Sequence, residues 1–231
     1  MTQETDFETF LFISKNKYQI FVYDKDNLKI LYNEEIKTND GIELDNLSNF
    51  LDENIYKIEK IINNFIKNID LIIEDDKVLE VSLSIKKKNY EKYIDQKNLE
   101  KSLVEVKDVF RENYKDQIIM HMIIANNDEK ENNFQTNNFN NNEDYLFLEV
   151  NFISIPSNFT FIFDKILKNH QIKIKRYMSG NYIKSYFDQE ATELSMMANK
   201  LNYGLNKNEV QLVSKSIENR GFFEKFFQLF S

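Results

Sequence analysis

Residues Phe10–Tyr23, FLFISKNKYQIFVY, contain two apolar-rich runs that three polar residues separate. Short runs of this kind around a polar break are typical of a β-hairpin. The runs are Phe10–Ser14 and Tyr18–Tyr23, and a third strand is predicted over Leu28–Ile36. The chain therefore opens with a hairpin that a third strand extends.

A long helix follows, because apolar residues recur at helical spacing from Leu47 to Ile69. Asp45 is the predicted N-cap of this helix. Two strands, Leu71–Ile73 and Val78–Ile85, then lie on either side of the acidic stretch Glu74–Asp76. We interpret this stretch as a solvated hairpin turn, since a calcium loop needs spaced oxygen ligands and a glycine.

A second unit is predicted from about residue 86 onward. Its order of strand, helix, strand, strand, helix and strand indicates an α+β layer with helices on one face of a sheet. Within it the Asn-rich segment 126–142 is predicted to be a flexible surface loop. The predicted elements are a helix Leu99–Phe110 capped by Asp95, strands Ile118–Ile124 and Leu146–Phe152, a helix Phe159–Leu167 opened by Pro156 with Ser157 as cap, a strand Ile172–Tyr177, and a modest further helix over 188–202 that Gly204 ends.

The last ten residues, Phe222–Ser231, read FFEKFFQLFS. At about 100° per residue, the apolar side chains fill one arc roughly 160° wide, and the polar side chains take the opposite side. Three sites could receive this face: a groove of the same domain, a groove of a partner, or a lipid interface. For the lipid interface, the predicted membrane-binding residues are Phe222, Phe223, Phe226, Phe227, Leu229, Phe230, Lys225 and Arg220.

Ten helical residues extend only about 15 Å, so this helix cannot span a bilayer. One short helix binds membrane marginally, because interfacial burial of its rings is partial. Firm attachment needs several tails acting together, which argues for self-association or a multivalent assembly.

Composition excludes several classes of function. The net charge of −8 and the absence of a basic face argue against nucleic acid as a partner. The chain has no cysteine, which removes disulfides, thiolate catalysis and Cys-based metal sites. The acidic, polar start is not a signal peptide, and no run of eighteen apolar residues is present. These features predict a cytosolic protein, with the membrane face as one possible location.

A search for catalytic chemistry finds little. His121 lies inside an apolar strand and is interpreted as a satisfied, half-buried side chain. His170 follows a helix end, where an imidazole suits the helix dipole. Neither histidine belongs to a metal-binding pair, and the four glycines form no phosphate-binding motif. The sequence predicts neither an enzyme nor a bound cofactor or metal.

Two regions resemble FtsA, the bacterial actin-like cell-division family that tethers the division ring to the cytoplasmic membrane. Asn206–Ser231 is similar to the family's carboxyl end, a polar linker, a glycine and an aromatic-rich amphipathic helix. Asp144–Tyr177 is similar to the family's inserted subdomain 1C, and the first hairpin, helix and strand pair match part of subdomain 1A. The resemblance covers most of this chain but only about half of the usual family length.

The same resemblance identifies departures from the family. The family's first hairpin carries a phosphate-binding D-x-G-[ST] motif, and here Phe12 replaces the aspartate and Ser14 the glycine. An aromatic ring holds no metal-bound water, and a residue with a Cβ hinders close approach of the backbone to phosphate. The second phosphate segment, the adenosine region and subdomain 2B are missing. Nucleotide binding in the actin manner is therefore not expected.

The expected fold is α+β: a partial actin-like subdomain, an SHS2-type subdomain similar to 1C, and an amphipathic C-terminal helix. The predicted units are 1–85 for the 1A-type part, 86–177 for the SHS2-type subdomain, 178–204 for a helical segment, 205–220 for a flexible linker, and 221–231 for the membrane-targeting helix.

The expected function is that of a non-enzymatic adaptor of the bacterial division machinery, peripheral on the cytoplasmic side of the inner membrane at the division site. Its expected partners are membrane lipids, other division proteins and other copies of itself. One alternative is an actin-like platform protein of a pilus or secretion system. Another is a small ligand-binding or catalytic domain whose tail docks on its own core.

Overall fold

A computed structural model describes residues 7–25, 29–39, 41–88, 96–125, 145–187 and 193–210. Within these ranges the chain forms two sheets with helices packed against them. The strands are β1 (Phe7–Ser14), β2 (Lys17–Asp24), β3 (Lys29–Lys37), β4 (Asn68–Glu74), β5 (Leu79–Lys88), β6 (Gln117–Ile124), β7 (Tyr145–Pro156) and β8 (Lys173–Ser179). The helices are α1 (Leu44–Ile62), α2 (Gln96–Asn113), α3 (Ser157–Asn169), α4 (Gly180–Tyr186) and α5 (Leu194–Asn202).

The larger sheet has five strands in the order β3-β2-β1-β4-β8. The first three strands pair antiparallel, which confirms the predicted hairpin and its third strand. β4 pairs parallel to β1, and β8 pairs parallel to β4. The sheet is thus antiparallel at one edge and parallel at the other.

Both faces of this sheet are covered by helices. Successive side chains of β1 point to opposite faces, so Leu11 and Ile13 enter one core while Phe10 and Phe12 enter the other. The first core contains side chains of α1 and α3, and the second contains side chains of α4 and α5. Because both faces are covered, β1, β2 and β4 are buried along nearly their whole length.

The smaller sheet has three strands in the order β5-β7-β6, all antiparallel. α2 packs on one face, and its Phe110 ring stacks on Phe152 at 4.5 Å and on Tyr114 at 4.8 Å between centroids. From Leu148 to Phe152 β7 alternates, with Leu148, Val150 and Phe152 directed into this core.

Two predicted strand assignments were wrong. β4 and β5 do not form the predicted hairpin, because β4 belongs to the larger sheet and β5 to the smaller one. Asp75 in the connection is consequently buried and not solvated. β8, which was assigned to the second unit, pairs with β4 in the first sheet.

Three predicted helix boundaries were also wrong. α1 ends at Ile62, because Asn63 adopts a left-handed conformation with φ of 52°. The apolar residues that continue its spacing to Ile69 lie in the connection and in β4. Asp45 is inside the first turn of α1, whose N-cap position is Glu43. Pro156, and not Ser157, occupies the N-cap position of α3.

The helix predicted over 188–202 is shorter, since α5 begins at Leu194, and α4 was not predicted. Gly204 follows α5 with φ of 76°, as expected for a glycine that ends a helix. The predicted cap Asp95, the Asn-rich loop 126–142 and the aromatic tail lie outside the described residues.

Candidate functional site at the strand ends and the sheet joint

The parallel part of the larger sheet brings three strand ends together. In the β1–β4 register Ser14 lies opposite Glu74, and in the β4–β8 register Ile73 lies opposite Ser179. The carboxyl ends of parallel strands are where open α/β sheets usually bind their ligands. A ligand site of this sheet is therefore expected at this edge.

Side chains of this chain fill that edge. Phe12 is 3% exposed, and the ammonium groups of Lys17 and Lys184 lie 5.5 Å and 5.4 Å from the centre of its ring. Lys184 also forms an ion pair with Glu74. A Cβ added to Gly180 would meet both the Phe12 ring and the Cβ of Glu74 at 3.2 Å. We call Phe12, Lys17, Glu74, Gly180 and Lys184 the strand-end surface.

The side chains of the strand-end surface do not form a phosphate-binding site. The aromatic ring of Phe12 offers no metal ligand or hydrogen-bond acceptor, and Lys184 is already paired with a carboxylate. Among the described residues no cluster of His, Asp or Glu has the arrangement of a metal site.

A second cluster lies where the two sheets meet. His121 on β6 is 2% exposed, and its Nε2 accepts a hydrogen bond of 2.9 Å from the backbone N–H of Ser179. Its Nδ1 lies 2.7 Å from Oε1 of Glu209. The imidazole therefore joins β6, the end of β8 and the segment that follows α5.

The hydrogen bonds assign the tautomer of His121. A backbone N–H can only donate, so Nε2 carries no proton, and Nδ1 carries the proton that Glu209 accepts. Burial lowers the pKa of His121, against the opposing effect of Glu209. The ring is thus a neutral bridge between an amide and a carboxylate.

Glu209 has further partners. The guanidinium of Arg176 donates to the same carboxylate, and the hydroxyl of Tyr182 lies 3.3 Å from Oε2. Burial alone would raise the pKa of Glu209, but the hydrogen bond from His121 and the charge of Arg176 hold it below its usual range. Burial and the same carboxylate raise the pKa of Tyr182 well above its usual range.

The backbone around Glu209 extends the smaller sheet. Glu209 forms an antiparallel bridge with Ile123, the N–H of Ile124 donates to Asn208 at 2.9 Å, and the N–H of Val210 donates to Met122 at 2.8 Å. Asn206 donates to the hydroxyl of Tyr182 at 2.7 Å. We call residues 206–210, with their partners His121, Arg176 and Tyr182, the clasp.

The clasp corrects the prediction of a flexible linker over 205–220. Asn206 is buried, and the carboxylate of Glu209 is buried with it, so the first part of that range is held on the body of the protein. Residues 211–220 lie outside the described part of the chain.

A polar network continues from the clasp to the larger sheet. Arg176 donates to Asn202 at 2.9 Å, and Asn202 donates to Asp70 on β4 at 2.7 Å. Asn199 donates to Glu8 on β1 at 3.1 Å. Burial raises the pKa of Asp70. These bonds fix α5, and the segment after it, against β1 and β4.

Sequence reasoning identified only one member of the clasp. It interpreted His121 as a satisfied side chain, and the structure confirms this, although the ring is fully rather than half buried. Arg176, Tyr182 and Glu209 carried no local signal, because the partners are far apart in sequence. The predicted membrane-binding residues, Arg220, Phe222, Phe223, Lys225, Phe226, Phe227, Leu229 and Phe230, lie outside the described residues.

Comparison with known proteins finds no protein-family model and no curated protein that matches the sequence. Solved structures similar to the chain include the cytoplasmic domain of EpsL, an inner membrane component of the type II secretion system of Vibrio cholerae, at 9% identity and a TM-score of 0.40 over 77% of this chain and 57% of that chain. A Bacteroides thetaiotaomicron protein with an actin-like ATPase fold and unknown function is similar at 13% identity and a TM-score of 0.36, over 80% of this chain and 57% of that one. The PilM-PilN type IV pilus biogenesis complex is similar at 8% identity and a TM-score of 0.45, over 78% and 49%.

The chain spans about half the length of these solved structures. The described part of the chain is a mixed α+β architecture of two sheets with packed helices. The division family that the sequence resembles is not among the three. Within the described residues, no helix is both long enough and apolar enough to cross a membrane.

Proposed function

We propose that this protein is a non-enzymatic platform at the cytoplasmic face of a membrane-bound protein assembly. The observation that carries the proposal is the clasp. It holds residues 206–210 on the edge of β6, so that the chain is fixed to the body up to Val210, twelve positions before the first ring of the aromatic tail. A buried carboxylate and a buried imidazole are costly to place, and here they serve to position a segment of the chain.

The strand-end surface supports the non-enzymatic part of the proposal. Phe12 and the Lys184–Glu74 pair occupy the edge where a nucleotide would have to lie. The His121 imidazole has both nitrogens engaged and no contact with solvent, so it is unsuited to proton transfer with a substrate.

Two assemblies are candidates for the partner. One is a pilus or secretion system, in which the protein is the platform that holds a membrane component. Similar structures from a type II secretion system (EpsL) and a type IV pilus biogenesis complex (PilM-PilN) support this choice. The other is the division machinery, which the likeness of residues 144–177 and of the tail to FtsA suggests. We place the pilus or secretion platform first.

Membrane attachment through the aromatic face of Phe222–Phe230 completes the proposal. On a helix the rings would share one side, and Glu224, Lys225 and Gln228 would share the other. A single tail of this size binds weakly, so we expect attachment to depend on a second tail or on a membrane-bound partner.

Vesicle flotation of the full-length chain tests the attachment. The parent should float with vesicles of phosphatidylglycerol and phosphatidylcholine, and Phe226→Glu should reduce the floating fraction at least about tenfold, since it places a charge among the buried rings. Gln228→Glu adds the same charge on the polar side and is the matched control. Equal flotation of Phe226→Glu and the parent would show that the tail does not attach the protein to lipid.

Co-purification from cells at native expression level separates the two assemblies. A platform protein should recover pilus or secretion components, and a division adaptor should recover division proteins. Recovery of neither, with the Phe226→Glu variant behaving as the parent, would contradict both.

A further inference from the structure

We propose that the outer edge of β5 is a self-association surface, on which two copies of this chain pair their β5 strands antiparallel. β5 is ten residues long and lies at the edge of the smaller sheet, with β7 on its inner side. No described strand pairs with its outer side. An exposed edge of this length presents a row of backbone donors and acceptors that another strand can satisfy.

The two faces of β5 differ. Val81, Leu83 and Ile85 are half-buried against the core beneath α2, while Glu80 and Lys86 are exposed on the other face. Lysines on an edge strand disfavour pairing with another strand, but here they occupy only residues 86–88, at one end of β5. The rest of the edge carries no lysine. The apolar row at this edge is incompletely covered, and a neighbouring strand would complete it.

The sequence of β5 is complementary to itself in an antiparallel register centred on Leu83. With Leu83 opposite Leu83 of a second copy, Glu80 faces Lys86 and Val81 faces Ile85. The two ion pairs lie on the exposed face, and the three apolar pairs lie on the face that α2 covers. Such cross-strand pairs are the units that stabilise antiparallel sheets.

The neighbouring registers are poorer. A shift that centres the pairing on Ser84 sets Val81 against Lys87, and a shift that centres it on Ser82 sets Glu80 against Ser84. The Ser84-centred register also pairs Glu80 with Lys88 and Leu83 with Ile85, and the Leu83-centred register likewise sets Leu79 against Lys87. The Leu83-centred register is favoured because it forms three apolar pairs, and the Ser84-centred register forms two.

A second copy fits this edge better than an unrelated peptide, because the complement of β5 is β5 itself. Pairing about a two-fold axis through Leu83 gives an isologous interface, which closes as a dimer and does not propagate. The result is a six-stranded sheet. α2 packs over β5 and covers the apolar face of that strand.

The pairing of β5 strands does not depend on the proposed function. Only its role in membrane attachment rests on that function. Two chains joined at β5 carry two aromatic tails, which supplies the multivalency that membrane attachment needs. The pairing itself is measured in solution without lipid, so failure of the dimer and failure of membrane binding are separate results.

Charge reversal with mixing tests the register in the full-length chain. Glu80→Lys and Lys86→Glu alone each set like charges opposite one another. Each variant should therefore raise the dissociation constant of the dimer at least about tenfold, measured by sedimentation equilibrium. An equimolar mixture of the two variants restores both ion pairs in a heterodimer and should recover the parent value. A parent that stays monomeric, single variants that dimerise as the parent does, or a mixture that fails to recover would overturn the proposal.

A cysteine placed at the two-fold axis gives a second measurement. The chain has no cysteine, so Leu83→Cys introduces the only thiol. Directly opposed residues of antiparallel strands have Cα atoms about 4.5–5.5 Å apart, within the range that a disulfide bridges. Mild oxidation should therefore cross-link this variant to a covalent dimer.

Ser84→Cys tests the neighbouring register, in which residue 84 would oppose itself, and should cross-link much less. Tyr56→Cys, on the exposed side of α1, is the control for random collision. Circular dichroism confirms that each variant is folded. Equal cross-linking of all three folded variants would contradict the Leu83-centred pairing.

Discussion

The strand-end surface and the clasp both converge on the start of α4, yet they use polar groups in opposite ways. At the strand ends an aromatic ring is buried and the charges lie outside it, with Lys184 half exposed beside Glu74. At the clasp the charges themselves are buried, and the side chains of His121 and Glu209 are 0% and 3% exposed. Surface ion pairs contribute little to stability, whereas removing one member of a buried set is strongly destabilising.

The difference shows which part of this protein contains the buried hydrogen bonds and charges. The edge of the sheet that could hold a ligand is closed by packing and by weak surface pairs. The buried hydrogen bonds instead hold the segment that leads to the tail. In this protein the most tightly specified polar geometry belongs to the placement of chain and not to a substrate site.

The largest effect should come from breaking the packing at the strand ends. Phe12→Ala should lower the free energy of unfolding by about 3–5 kcal/mol, because a fully buried ring is replaced by a cavity. Urea denaturation measures it. Phe161→Ala, at a ring 67% exposed on α3, is the control and should change the value by less than about 0.5 kcal/mol. Similar losses for the two variants would mean that Phe12 is not a packing residue.

Breaking the clasp should come next. Glu209→Ala leaves the Nδ1 proton of His121 and the guanidinium of Arg176 without their acceptor, and should cost about 3 kcal/mol. Amide exchange of Ile124, whose N–H donates to Asn208, should accelerate with it. Glu209→Gln keeps an acceptor for His121 and should cost less. An unchanged exchange rate at Ile124 in Glu209→Ala would show that the carboxylate does not hold the segment.

Acid should weaken the clasp in a definite pH window. The pKa of His121 is lowered in the folded state, so its contribution is complete above its ordinary value of 6.5 and declines as the pH falls below that value. The loss is at most about 1.4 kcal/mol per pH unit for one proton. The lowered pKa of Glu209 adds a further loss as the pH falls below its ordinary value of 4.5.

Unfolding free energies measured between about pH 7.5 and 5 should show this slope in the parent and a smaller slope in His121→Asn. His170→Asn removes the other imidazole, which lies at the end of α3, and serves as the control. If His121→Asn shows the same dependence of unfolding free energy on pH as the parent, the buried ring does not take up a proton on unfolding.

The smallest effect should come from the surface pair. Lys184→Met should lower stability by less than about 1 kcal/mol, and added salt should shrink the difference further. Denaturation at low and high sodium chloride concentration measures it. A loss as large as that of Glu209→Ala would remove the contrast between the two regions.

Local periodicity was enough to predict much of the fold. The hairpin over Phe10–Tyr23 and the alternation of β7 follow directly from side-chain spacing, because each element buries one face or both. The end of α1 could not be predicted this way. Ile66 and Ile69 keep the helical spacing, but a left-handed turn at Asn63 takes them into the connection and into β4.

The clasp could not be predicted from local pattern. His121 and Glu209 are 88 positions apart, and Glu209 lies in a stretch whose polarity resembles a linker. The misassignment of β4 and β5 as a hairpin has a similar origin. The short acidic connection suits a turn, and only the long-range pairings of β1 with β4 and of β7 with β5 separate the two strands.

The bond from the Val210 N–H to Met122 also sets a limit on distance. Eleven residues, 211–221, separate that anchor from the first ring of the tail. Even drawn out straight they reach roughly 40 Å. Any bilayer or partner that the rings bind must therefore lie within roughly 40 Å of the β6 edge. Residues inserted between Val210 and Phe222 would increase this distance.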